Sequence, residues 1–269
     1  MYKVLKVINN NALLANDLTT NDEVIFLGTG VGFGRKTNDL FDEIINAKKY
    51  FTTDKIKDIS QNIDPIYLDI AELILQQAQT QFATIDYMIQ FALADHIAFA
   101  IKRMKNNITI VNPFSTDISL LYKKEYEIAL QGAKIIEDKL GVMINSDEVA
   151  YITLHIHSAL GKDNVAESLR IAMIINDALA RLENLCHVTL NKESSAYARF
   201  LVHLKYMFYR LNNNEVLNLD MNDYAQTNFK NSYDIAKEVL SEIEKLAKVT
   251  INEVEIGYFA IHIERILQS

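Results

Sequence analysis

Asp95-His-Ile-Ala-Phe-Ala-Ile-Lys-Arg-Met-Lys-Asn-Asn107 and Val202-His-Leu-Lys-Tyr-Met-Phe-Tyr-Arg-Leu-Asn-Asn-Asn214 are the stretches whose comparison decides the architecture. Each sets an arginine seven residues after a histidine and an asparagine pair just beyond. Extended without a gap, residues 96–160 lie on 203–267 at a constant offset of 107 residues. The alignment also matches Tyr126 with Tyr233, Glu148 with Glu255, Tyr151 with Tyr258, and His155-Ile156 with His262-Ile263. Identities occur at 18 of the 65 positions, where unrelated sequences of this composition give roughly four. The period is too long for a solenoid unit, so the repeat is a duplicated domain.

Around these stretches the texture is helical. From about Asp64 onward, apolar residues recur at three- and four-residue intervals, as in Ile66, Ile70, Leu73 and Ile74, and only two prolines interrupt the chain, Pro65 and Pro113. The first fifty residues differ. Tyr2–Ile8 alternates, Ala12–Ala15 and Val24–Leu27 are short apolar runs, and Asn9–Asn11 and Thr19–Asp22 punctuate them. Four of the eight glycines lie in Gly28-Thr-Gly-Val-Gly-Phe-Gly34. The expected fold is a small antiparallel β-sheet domain at 1–56, a polar linker over Thr52–Asn62, and two tandem all-α bundles at 62–168 and 169–269.

The net charge of −8 is unevenly placed. Residues 1–56 are neutral: Lys3, Lys6, Arg35, Lys36, Lys48, Lys49 and Lys55 balance Asp17, Asp22, Glu23, Asp39, Asp42, Glu43 and Asp54. Nucleic-acid binding there would rest on stacking and hydrogen bonding rather than on a broad positive field, which suits folded RNA better than duplex DNA. The single cysteine, Cys186, forms no internal disulfide, and no apolar run is long enough for a membrane span. With no signal-peptide pattern either, a cytoplasmic protein without membrane insertion is expected.

Four of the six histidines belong to the repeat: His96, His155, His203 and His262; His157 and His187 do not. On a helix, Arg103 lies two turns from His96 on one face, and Arg210 stands likewise to His203. Glu148 and Tyr151 share a face with His155, as Glu255 and Tyr258 do with His262. Guanidinium groups suit phosphoryl oxygens and carboxylates orient imidazoles, so the pattern points to phosphoryl acceptance supported by Arg103 and Arg210. A cation site would be opposed by the arginine charge. His155 and His157, two apart on a helix, point nearly opposite ways and do not chelate one ion. Gly28-Thr-Gly30 begins a glycine-spaced run, but Phe33 stands where a dinucleotide fingerprint needs glycine, and no nucleophile or phosphate-loop motif occurs. No catalytic residue, cofactor or metal is expected.

Lys6-Val-Ile-Asn-Asn-Asn11 with Gly28-Thr-Gly-Val-Gly-Phe-Gly-Arg-Lys36 resembles the co-antiterminator RNA-binding domain of the BglG/LicT/SacY antiterminator family. Asp95–Arg103 and Leu154-His-Ile156 resemble the two histidine motifs of that family's first PTS regulation domain. Leu201–Arg210 and Ile261-His-Ile-Glu-Arg265 resemble those of the second. The resemblance implies a four-stranded β-domain that binds an RNA antiterminator hairpin as a homodimer. Asn9, Asn11, Gly28, Gly30 and Phe33 would meet the RNA. It also implies phosphorylation of His96, His155, His203 and His262 by the phosphocarrier HPr and a sugar-specific enzyme II. Thr29 departs from the basic residue several members carry, and His157 from a common asparagine. The alternatives from other classes are a DNA-binding activator and a phosphocarrier using the same histidines. A β-rich start of 56 residues leaves no room for helix-turn-helix modules, and no nucleotide site accompanies the four histidines.

Overall fold

The computed structural model describes residues 1–28, 30–42, 47–53, 56, 58–59, 62–161 and 164–268. Thr29 and parts of the expected linker, residues 54, 55, 57, 60 and 61, lie outside them. The chain resolves into two compact units. Met1–Val111 with Glu127–Lys162 makes the first, and Asn112–Tyr126 with Asp163–Ser269 the second.

In the first unit, β1 (Tyr2–Asn9), β2 (Ala12–Asp17), β3 (Glu23–Leu27), β4 (Leu40–Phe41) and β5 (Lys48–Phe51) form one antiparallel sheet in the order β4-β1-β2-β3-β5. Alternation in β1–β3 sends Val4, Leu13, Ala15, Val24 and Phe26 to one face, where Val31 and Phe41 close the core. Leu14 and Ile25, on the opposite face of the central strands, are also buried. Among the described residues the sheet has five strands, not the four implied by the family resemblance. Its outer strands were hard to foresee: β4 is only two residues, and β5 opens with Lys48-Lys49. Short, lysine-bearing strands lack a clear alternating signal, and they suit sheet edges because they discourage pairing with other chains. Register shifts between Val4 and Lys6 and between Val7 and Asn9 bend the end of β1 that carries Asn9.

The helices bounded within the described residues are α1 (Pro65–Gln81), α2 (Ile89–Lys105), α3 (Ser115–Leu121), α4 (Lys123–Leu140), α5 (Ser146–Ala159), α6 (Val165–Cys186), α7 (Ser195–Asn213), α8 (Asn222–Asn228), α9 (Lys230–Ala247) and α10 (Val254–Leu267). Their starts follow capping chemistry. Asp64 accepts from the Ile66 amide with Pro65 in the first turn, Asn145 caps α5, Asn164 caps α6 and Ser194 caps α7. The duplication is visible in the backbone: α3 and α8, and α4 and α9, coincide end to end at the 107-residue offset. The repeated asparagines have a local reason. Asn107 and Asn214 both adopt left-handed φ, 57° and 53°, as their helices end, a conformation asparagine tolerates better than most residues. His187 ends α6 in the same way, with φ 54°.

In the first unit α1 packs on α2 and α2 on α5. In the second, α7, α8 and α9 pack on α10. The second unit also holds α3, which lies against α6 and α7. The division at 168/169 read from the sequence falls inside α6.

Candidate functional site

Each unit carries one version of the repeated site. In the first, α2 supplies His96 and Arg103 while α5 supplies Glu148, Tyr151 and His155. The Arg103 Nη2 donates to Glu148 Oε1 at 2.8 Å, and His96 Nε2 lies 3.2 Å from Glu148 Oε2. The His96 and His155 rings are 5.1 Å apart between centroids, and Tyr151 lies 5.7 Å from His96. In the second unit, α7 brings His203 and Arg210 to Glu255, Tyr258 and His262 of α10. Arg210 grips Glu255 with two bonds, Nε to Oε1 at 2.7 Å and Nη2 to Oε2 at 2.8 Å. His203 Nε2 is 3.5 Å from Glu255 Oε2, its ring is 4.7 Å from that of His262, and Tyr258 stacks on it at 6.3 Å.

Helical geometry explains the sharing of one carboxylate. Histidine and arginine two turns apart face the same way, and a glutamate from the crossing helix reaches both. Glu148 and Glu255 are almost fully buried, so each needs compensation. Burial alone would raise the Glu148 carboxyl, but His96 and Arg103 outweigh it and hold the carboxyl below its ordinary range. In the second unit burial, then the charges of His262 and Arg210, push His203 down to about 3. Burial, with Arg265 and Arg199 nearby, lowers His262 to about 4. Both imidazoles are therefore neutral near pH 7. A neutral imidazole keeps the lone pair that a phosphoryl group needs, and the facing carboxylate biases the ring proton to one nitrogen. An open depression of about 440 Å³, lined by Ala198, Arg199, Val202, His203 and His262, gives this pair a way to the outside.

These contacts add partners that the sequence did not show. Arg103 and Arg210 do not wait unpaired for a phosphoryl group, because each is held by a glutamate. Glu148 and Glu255 face the first histidine of each pair, His96 and His203, across the helix crossing. The two glutamates are central to both sites. Their identity across the repeat was the signal available in sequence. His157 is buried in α5, and His187 serves as a helix stop.

The glycine-rich loop after β3 folds against the β1–β2 connection. Gly28 N donates to Asn11 O at 3.0 Å, Gly32 N to Asn10 O at 2.8 Å, and Gly30 N to Asn11 Oδ1 at 2.6 Å. Only glycine fits at position 32, where a Cβ would stand 2.1 Å from the Asn9 carbonyl oxygen. Gly30 is left-handed at φ +75°. Phe33, at the tip, is 75% exposed and takes no part in the sheet core. Asn9, Asn11, Gly28 and Gly30 are thus gathered at one end of the sheet, with Phe33 on the same loop.

The family model of the CAT RNA binding domain matches residues 2–59, and that of the PRD domain matches residues 68–159 and 176–266. The chain belongs to the family that joins a CAT domain to two PRD domains. Relatives match along nearly their whole length. The transcription antiterminator LicT of Bacillus subtilis is 29% identical over 99% of this chain and 99% of its own. The protein GlcT of Staphylococcus aureus is 31% identical over 100% and 99%. The beta-glucoside operon antiterminator of Dickeya chrysanthemi is 27% identical over 98% and 96%. A solved structure, GlcT CAT-PRDI, is 33% identical, covers 59% of this chain and 98% of that one, and superposes with a TM-score of 0.48. In family terms, the β-sheet is the CAT domain and the histidine sites belong one to each PRD. No helix among the described residues is long and apolar enough to cross a membrane.

Proposed function

We propose that this chain is a regulator rather than an enzyme: a transcriptional antiterminator that works in the cytoplasm as a homodimer. It binds an RNA hairpin in the leader of a sugar-utilisation operon through Asn9, Asn11, Gly28, Gly30 and Phe33. Its PRDs are controlled by phosphorylation of His96, His155, His203 and His262, with HPr and a sugar-specific enzyme II as donors. The observation that carries this reading is the same constellation, two histidines with one carboxylate and one arginine, in both PRDs. An exposed aromatic beside glycine amides, in a neutral domain, supports stacking-driven RNA contact.

The paired arginines give phosphorylation a physical consequence. A phosphohistidine at position 96 or 203 brings up to two negative charges beside a Glu–Arg pair. It repels the glutamate and competes for the guanidinium, so the helix pair carrying the site must repack. The test is incubation of the full chain with phosphoenolpyruvate, enzyme I and HPr. Acid-labile label is expected, and it should disappear when all four histidines are replaced by alanine. Undiminished labelling of that variant rejects the phosphorylation reading. Gel shift of the full chain with the leader RNA, wild type against Phe33→Ala, tests the other half, and equal binding rejects the stacking role.

A further inference from the structure

Two of the residues assigned to RNA are already engaged by the first PRD. Asn9 Nδ2 donates to Asp69 Oδ1 at 2.8 Å, and Asn11 Nδ2 donates to Glu72 Oε1 at 2.5 Å. The amides are linked to each other, since the Asn11 backbone N–H donates to Asn9 Oδ1 at 2.9 Å. Asn11 Oδ1 in turn holds the Gly30 amide. Asp69 and Glu72 lie three residues apart on α1, hence on one helix face. Glu72 is buried, and burial pushes its carboxyl up; its Oε1 accepts from Asn11 and also from Gln76 Nε2 at 3.0 Å. So these two bonds offset part of the cost of burying the carboxylate.

We propose that α1 of the first PRD is an autoinhibitory element, its Asp69 and Glu72 occupying the amide donors of Asn9 and Asn11 in place of RNA acceptors. This rests on the reading of Asn9 and Asn11 as RNA-binding residues. The chemistry of competition is direct. An asparagine reads RNA by donating from its NH₂ group to a base or phosphate oxygen, and a carboxylate presents the same kind of acceptor with a full charge. The two carboxylates also place negative charge where RNA phosphates would approach. Phe33 stands apart, 75% exposed, so RNA can stack on it before the asparagines are released. The contact is polar, and beside it lies a cleft of about 480 Å³ whose lining includes Asn11, Gly28, Lys48, Tyr50, Glu72 and Gln90. A polar seam with such a cleft separates more readily than a close-packed apolar one.

The experiment measures affinity of the full chain for a transcript of the leader upstream of a sugar-transporter operon, by gel shift at fixed salt. Asp69→Ala/Glu72→Leu removes both acceptors. It should tighten binding about tenfold or more, because affinity is reduced by the fraction of molecules held closed. Asp69→Asn/Glu72→Gln keeps shape while removing charge and should tighten binding by a smaller factor, which covers the case in which the first variant folds poorly. Glu137→Ala/Asp138→Ala, on the exposed side of α4, controls for lost negative charge and should leave affinity unchanged. Variants of Asp69 and Glu72 that bind no more tightly than wild type overturn the inhibitory contact while leaving RNA binding intact. So does an equal gain from the α4 control. Failure of the underlying assignment looks different: no variant binds the transcript, or Asn9→Ala/Asn11→Ala binds as wild type does. Either result removes the asparagines from the RNA site, and the inhibitory role with them.

Discussion

His203 is neutral because it is buried beside His262 and Arg210, which together push it to about 3. The same burial carries a stability consequence whose sign is definite. The unfolded histidine titrates near 6.5, so between that value and about 3 the unfolded chain holds a proton that the folded chain refuses. Stability is therefore full above 6.5 and falls as the pH drops, by up to about 1.4 kcal/mol per pH unit for this group. His262, lowered to about 4, acts in the same direction. Thermal unfolding of wild type and His203→Gln between pH 7 and 4 checks this. The wild-type midpoint should fall more steeply than that of the variant, and parallel curves would count against the assignment. A second residue-scale expectation concerns Glu255→Gln, which strands the half-buried Arg210 guanidinium. It should cost about 2–4 kcal/mol of unfolding free energy, read from denaturant unfolding, since breaking a buried pair exposes its partner's full desolvation penalty. Sequence alone pointed to the histidines and arginines here. It did not show that the arginine is spent on the glutamate, because that pairing depends on how two helices cross.

At the scale of elements, periodicity and caps made most helices legible. Asp64-Pro65 opens α1 and Asn145 opens α5 through chemistry local to a few residues. The outer strands were not legible, since β4 is two residues long and β5 starts with two lysines; only the neighbouring strand makes them strands. Helix packing adds a constraint that the repeat conceals. Gly257 of α10 corresponds to Ala150 of α5, yet a Cβ at 257 would lie 2.5 Å from the Met221 carbonyl carbon and 2.7 Å from the Asn222 amide. The start of α8 rests on that glycine. Gly257→Ala should destabilise the second PRD by about 1–3 kcal/mol through backbone displacement, despite alanine's better helix propensity. The check is a lowered melting temperature with unchanged labelling of His96 and His155.

At the scale of the molecule, the compact units do not follow the linear order of the repeat. Asn112–Tyr126 belongs to the second unit, where the fully buried Asp117 of α3 accepts from the Tyr197 hydroxyl at 2.6 Å and lies 3.3 Å from Lys192 Nζ. A chain cut at 169 loses this helix. The fragment 169–269 should unfold at a lower temperature than the fragment 112–269, by several degrees for a unit of this size. Equal melting temperatures would show that α3 contributes nothing. Asp117→Asn in the full chain tests the same bond by a milder route and should lower stability by about 1–2 kcal/mol, because a charge-assisted bond to tyrosine becomes neutral.

By itself the sequence determined the class of each segment, the duplication, and the four histidines with their companion arginines, because periodicity, capping and spacing act within one element. The family resemblance added the glycine loop and Phe33. The tertiary structure alone decided the fifth strand, the use of Glu148 and Glu255 as shared partners, the place of α3 in the second unit, and the meeting of Asn9 and Asn11 with Asp69 and Glu72. Each of these joins residues far apart in the chain. The energy that selects such contacts comes from burial and charge compensation between elements, and no local pattern encodes it.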